Sequence, residues 1–200
     1  MTLTRSLALL FLFASSAFAS GQATEPGAGA RAVPAAQATP PPFVDPSTLR
    51  PKARPEDVSS IDAIIGAVYD VISGPAGPRD WERFKSLMLP EARLMPIGHR
   101  PDGQDVYRML DADGYVQRAS PTFLKDGFFE STVSNRIEQF GSLAHVFSTY
   151  ESRREKGGAP FARGINSFQL VKLGDRWWVA SIMWDVERPG VAIPAKYLGR

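Results

Sequence analysis

Four runs between residues 128 and 187 decide the fold: FFESTVSNRIEQ (128–139), LAHVFSTYESR (143–153), GINSFQLVKL (164–173) and RWWVASIMWDVE (176–187). Each is rich in β-branched and aromatic residues and long enough for a full strand. Between them stand Phe140-Gly141-Ser142, the segment EKGGAP (155–160) and Gly174-Asp175. These are turn residues at hairpin spacing, so the runs read as an antiparallel meander.

Upstream the pattern changes to helical. Asp57 or Ser59 can cap a helix starting near Ser60, and Ile61, Ile64, Ile65, Val68, Tyr69 and Ile72 recur on one side of it. The segment GPAGP (74–78) ends that helix. Asp80 caps a second helix, through Leu87, with Trp81, Phe84, Leu87 and Met88 on its apolar side. Residues 92–97 then read as a short strand, joined by Pro101-Asp102-Gly103 to a partner over 105–110. A poorer helix or irregular segment, broken at Pro121, is expected over 113–124. Helices grouped ahead of strands define an α+β layer, with a curved sheet wrapping the helices on its concave face.

The ends have other compositions. Residues 1–19, MTLTRSLALLFLFASSAFA, carry Arg5, an apolar run from Leu7 to Ala14 and the small-x-small site Ala17-Phe18-Ala19, the three parts of an export signal. The expectation is cleavage near Ser20 and a periplasmic or secreted protein, with no membrane insertion after cleavage. Residues 20–55 contain Pro26, Pro34, Pro40-Pro41-Pro42, Pro46, Pro51 and Pro55 and read as a disordered linker. The folded domain is expected over 56–190, with 191–200 as a tail.

Composition excludes several classes. The 200 residues include no Cys, which removes disulfides, thiolate metal sites, a Cys nucleophile and a lipidated Cys. The two His are too few for an all-imidazole zinc site. A net charge of +2 gives no electrostatic footprint for nucleic acid. Asp111-Ala112-Asp113-Gly114 starts like a calcium loop, but Val116 stands where that loop needs Gly. No phosphate loop, dinucleotide fingerprint, HExxH or GxSxG occurs. Neither a metal nor a cofactor is implied.

Two segments carry a family resemblance. Asp80-Trp81-Glu82-Arg83-Phe84 followed by Leu89-Pro90-Glu91-Ala92-Arg93 is similar to a second helix running into a first strand. Gly164-Ile165-Asn166-Ser167-Phe168-Gln169-Leu170 and Gly174-Asp175-Arg176-Trp177-Trp178-Val179 are similar to a final hairpin. Over residues 57–188 the chain resembles the nuclear transport factor 2 (NTF2)-like superfamily, also called SnoaL-like or cystatin-like cone folds. The resemblance implies a pocket between helices and sheet, chemistry that is mostly proton transfer, and homodimers formed through the sheet. It does not imply one reaction, because isomerases, dehydratases, cyclases, epoxide hydrolases and binding modules share the scaffold.

Ionisable and polar residues on core-facing registers are the candidates. Tyr69 lies on the apolar stripe and could donate a phenolic hydrogen bond into a cavity. His145 shares a strand face with Leu143, Phe147 and Thr149; facing the cavity, it would be the acid–base group. His99, at the end of the first strand, could reach over the mouth. Asn166, with Phe168 and Leu170, needs partners on an apolar face. Strict alternation puts Trp184 with Trp178 and opposite Trp177, and puts Glu130, Arg136 and Glu138 together, as ion-pairing residues of a solvated face or as a charge pair inside the cone. The familiar isomerase base is missing, since the strand reads Ala92-Arg93-Leu94-Met95-Pro96-Ile97, and Met183 stands where SnoaL-like relatives often have His.

The expected function is therefore an exported cone domain that binds a small apolar or aromatic molecule, or a protein partner, through His99, Asn166 and Trp184. The alternative is a cofactor-free lyase or isomerase with His145 as base and Tyr69 as donor. A structural role in envelope assembly is the third reading.

Overall fold

The computed structural model describes residues 43–199. Six strands, β1 (Met88–His99), β2 (Asp105–Tyr107), β3 (Phe129–Phe140), β4 (Leu143–Arg153), β5 (Pro160–Leu173) and β6 (Arg176–Val186), form one sheet in the order β2-β1-β6-β5-β4-β3. All neighbours are antiparallel except β1 and β6, which run parallel. Four helices accompany them: α1 (Pro55–Val58), α2 (Ile61–Ile72), α3 (Trp81–Ser86) and α4 (Ala112–Lys125). The architecture is α+β, with a curved, mixed sheet whose concave face holds the helices.

Local chemistry sets the helix starts. Ser60, rather than Asp57 or Ser59, caps α2, its Oγ accepting from the Ala63 N–H at 3.0 Å. Asp80 caps α3 through the Arg83 N–H at 2.9 Å. Asp111 caps α4 through the Gly114 N–H at 2.7 Å, which accounts for the acidic start of that segment. Pro121 does not break α4; it lies on the exposed side, where water can satisfy the carbonyl its missing N–H leaves free.

The core is the α2 stripe pressed on the sheet. Ile64, Ile65 and Val68 pack with Phe84, Val146 and Phe168, all buried. Burying large apolar side chains on this scale supplies most of the driving force for the layer, at about 1.5–3 kcal/mol each.

Two irregularities control which side chains enter that core. In β3, Thr132 pairs with Tyr150 while Ser134 pairs with Thr149, so Val133 is an extra residue. In β6, Val179 pairs with Leu170 while Ser181 pairs with Gln169, so Ala180 is another. Each bulge inverts the alternation beyond it. Glu130 consequently faces the cone while Arg136 and Glu138 face away, contrary to strict alternation. Trp177 joins Val179 and Ile182 in the core, and Trp178 occupies the opposite face beneath the Arg176 guanidinium, 3.5 Å from its ring centroid.

Both expected boundaries move outward. The described part of the Pro-rich segment is held to the domain. Asp45 caps a short 3-10 turn (Pro46–Thr48), Arg50 donates to the carbonyls of Leu89 and Pro90 at 3.0 Å each, and α1 begins at Pro55. Buried Asp57 then accepts two 2.8 Å hydrogen bonds from Arg83. The segment after residue 190 is not a loose tail either. Thr149 Oγ1 donates to the Tyr197 carbonyl at 2.6 Å, Arg136 donates to the Lys196 carbonyl, and Ile193 is buried. The export signal (1–19) and the linker before residue 43 lie outside the described residues. No helix among the described residues is long and apolar enough to cross a membrane.

Candidate functional site

Inside the cone, between α2, α4 and the sheet, lies a cavity of about 110 Å³. Its walls are mainly apolar, with Phe84, Phe128, Phe168 and Ile182 among them. Its polar groups are Glu130, Asn166 and the phenols of Tyr69, Tyr115 and Tyr150. No Lys, Arg or His among the described residues lines it.

Tyr69, Asn166 and Glu130 are ordered by hydrogen bonds. Tyr69 Oη and Ser148 Oγ are 2.7 Å apart, and Asn166 Nδ2 donates to Tyr69 Oη at 3.1 Å. The same amide lies 3.5 Å from Glu130 Oε1, and Ser152 Oγ donates to Glu130 Oε2 at 2.7 Å. One helix and three strands thus hold a single chain of polar atoms, from α2 through β5 and β4 to β3.

Glu130 is the electrostatic centre. Burial in an apolar wall disfavours its charge and pushes its pKa up to about 7, although the bonds from Ser152 and Asn166 pull the other way. Burial also pushes the Tyr69, Tyr115 and Tyr150 phenols well up, and the nearby Glu130 charge adds to this. All three phenols therefore stay protonated at neutral pH. A carboxyl poised near neutrality beside protonated phenols and an amide can accept a proton, donate one, or hold a polar ligand atom.

The expected site residues divide into two groups. Tyr69, Asn166 and Trp184 line this one cavity. The two His do not. His145 sits on the opposite face of the sheet, 3.0 Å from Ser167 Oγ, with Glu138 at 3.7 Å and Phe147 beside its ring. Its pairing with Tyr69 is thereby overturned: Ala144 and Val146 face the cone, so the residue between them points away. His99 lies at the β1–β2 end, with Asp105 Oδ1 and Asp185 Oδ1 each 2.6 Å from its ring nitrogens. It lines no part of the cavity.

Glu130 is the residue that alternation misplaced. Phe128 and Phe129 are both apolar, so the start of β3 sets no facing, and counting back from Ile137 puts Glu130 on the polar side. The Val133 bulge reverses that, and it is visible in the strand pairing and not in the sequence pattern. The charged residues of the other face do pair: Glu151 with Arg153 and Arg163, and Arg163 with Glu187.

Solved structures similar to this chain carry the same architecture. A protein of unknown function with a cystatin-like fold from Nostoc punctiforme aligns with a TM-score of 0.50 at 10% identity, over 64% of this chain and 88% of that one. A protein of unknown function from Mycobacterium tuberculosis aligns with a TM-score of 0.50 at 14% identity, over 68% and 75%. An NTF-2-like protein of unknown function from Silicibacter pomeroyi has a TM-score of 0.44 at 11% identity, over 64% and 92%. No family model and no curated protein matches the sequence. The chain has the cystatin-like fold. At such identities the likeness carries fold and no activity.

Proposed function

We propose that this domain binds a small, mainly apolar molecule in the cone cavity and fixes that molecule's one polar group with Glu130, Asn166 and Tyr69. The observation that carries the reading is Glu130: a carboxyl in an apolar wall, hydrogen-bonded by Ser152 and Asn166, with no cation lining the cavity beside it. Apolar walls with a few convergent polar groups are the usual make-up of a ligand site. A volume of about 110 Å³ limits the buried part to roughly one small ring or branched chain.

An amide-detected NMR titration with small phenols and ketones tests this. Shifts are expected at the Asn166 side-chain amide and at Phe168 and Ile182. Shifts confined to the opposite face, or none with any fragment, would overturn it.

A second reading is favoured by the position of the Glu130 titration near 7. In it Glu130 moves a proton at carbon, as a cofactor-free lyase or isomerase would, with the Tyr69 and Tyr115 phenols as donors to the developing oxyanion. Exchange of α-protons of small ketones in heavy water, abolished in Glu130→Gln, would support it; exchange that persists in the variant would end it.

Export directed by residues 1–19 and self-association through the sheet belong to the same proposal. The first is supported by the signal-like composition. The second is supported by the exposed Phe140 and Leu143 on the β3–β4 hairpin. N-terminal sequencing of protein from its host, and light scattering, test them.

A further inference from the structure

We infer that the ligand of the cone is a small apolar acid: its neutral polar end lies against Glu130, and its anionic end is received outside by Arg118 and Arg154. The inference deepens the small-molecule reading and rests on it.

A surface cleft of about 320 Å³ lies next to the inner cavity and shares the side chains of Tyr115, Phe128 and Trp184 with it. Those three aromatics form a common wall, so a molecule reaching from one space to the other would run along them. The cleft is lined by Arg118 and Arg154 and, among the described residues, by no carboxylate. Neither guanidinium forms an ion pair among the described residues.

Both arginines are placed by structure. Arg118 lies one turn beyond Tyr115 on α4, on the stripe continued by Ala119 and Thr122, which also line the cleft. Arg154 follows β4. Its carbonyl packs so close to Gly127 that no β-carbon fits there, which fixes the backbone. Its guanidinium lies over the Phe161 ring, 4.2 Å from the centroid, and Phe161 meets Phe128 edge-on at 6.3 Å. Arg154 is therefore held over the aromatic wall and still has its donors available.

The two ends of this path differ in kind. The deep end holds one carboxyl and the mouth holds two cations. An anion at depth would face Glu130 without a counter-charge, whereas an anion at the mouth meets forked donors suited to a carboxylate. That fixes the orientation: a hydroxyl or carbonyl goes inward, and the acid stays outward.

The test uses the full chain and three probes: 4-hydroxybenzoate, 4-hydroxyphenylacetate and 3-(4-hydroxyphenyl)propionate, each compared with its neutral amide by calorimetry. For at least one length the acid is expected to bind about tenfold more tightly than the amide at about 0.05 M salt, and the preference should shrink at about 0.5 M. The double variant Arg118→Gln/Arg154→Gln is expected to lose the preference and bind acid and amide alike. Equal binding of acid and amide by the unaltered chain, or a preference that survives in the double variant, overturns the charge assignment and leaves the small-molecule reading standing. Binding of no acid and no amide overturns both.

Discussion

Asn166 on β5 donates to the hydroxyl of Tyr69 on α2 across 3.1 Å, so a helix and the sheet are joined by a hydrogen bond inside an otherwise oily layer. Ser148 on β4 completes the link at 2.7 Å. Removing the phenolic oxygen leaves two buried polar side chains short of a partner. Tyr69→Phe is therefore expected to lower stability by about 2 kcal/mol. Urea denaturation checks this; a variant as stable as the parent would mean that water replaces the hydroxyl at no cost.

Glu130 gives the domain a pH dependence of definite sign. An unfolded glutamate titrates near 4.5, and burial moves the folded one to about 7. Between those values the folded chain keeps a proton that the unfolded chain has lost, so stability falls as pH rises through that window and is level above it. The change is on the order of 3 kcal/mol. His99, whose stabilisation is also lost on raising the pH, is common to parent and variant. Glu130→Gln is expected to abolish the larger part of the slope. Urea unfolding of both chains at about pH 5 and about pH 8 measures it; parallel losses would show that the carboxyl is hydrated.

The residue count after the Val133 bulge should matter more than Val133 itself. Deleting Val133 would leave Thr132 opposite Tyr150 and Ser134 opposite Thr149 as direct neighbours, so the ladder becomes regular and Arg136, Ile137 and Glu138 keep their faces. A cooperative unfolding transition is expected for that deletion, and none for one residue inserted after Ser134, which would send Arg136 and Glu138 toward the cone and Ile137 away from it. Val133→Ala keeps the extra residue, and because Val133 is partly exposed it should cost less than about 1 kcal/mol. Near-ultraviolet dichroism and thermal melts distinguish these variants; a folded insertion variant would mean that β3 can slip.

His99 is predicted to titrate above its ordinary value near 6.5. The hydrogen bond to Asp185 is the larger cause and that to Asp105 the second. Asp185 is the reciprocal case: burial works against its charge, but His99 and Arg188 hold its carboxyl below the usual range. Imidazole NMR signals should show a larger drop in the His99 midpoint for Asp185→Asn than for Asp105→Asn. The reverse order would place the ring differently.

Strand and helix identity was legible because it depends on local pattern. The β-branched and aromatic runs gave β3 to β6, and the spacing of Ile61, Ile64, Ile65, Val68 and Ile72 gave α2. Facing was less legible, because it depends on a count that one extra residue corrupts. Ala180 exchanged the roles of Trp177 and Trp178, and Val133 hid Glu130 among residues read as solvated. His145 was misjudged for another reason: its apolar neighbours Phe147 and Leu143 belong to a face covered in part by residues 191–197, so apolar company did not mean the cone. Tyr69 and Asn166 were found because a polar group on a wholly apolar stripe needs a partner, whatever the fold.

Gly199 packs against β3: its missing side chain would stand 3.4 Å from Ser134 Cβ. Ser134 follows the β3 bulge and lies on the face turned away from the cavity. A tether grafted after that glycine would therefore immobilise the protein by its back and leave the hollow presented to whatever flows past.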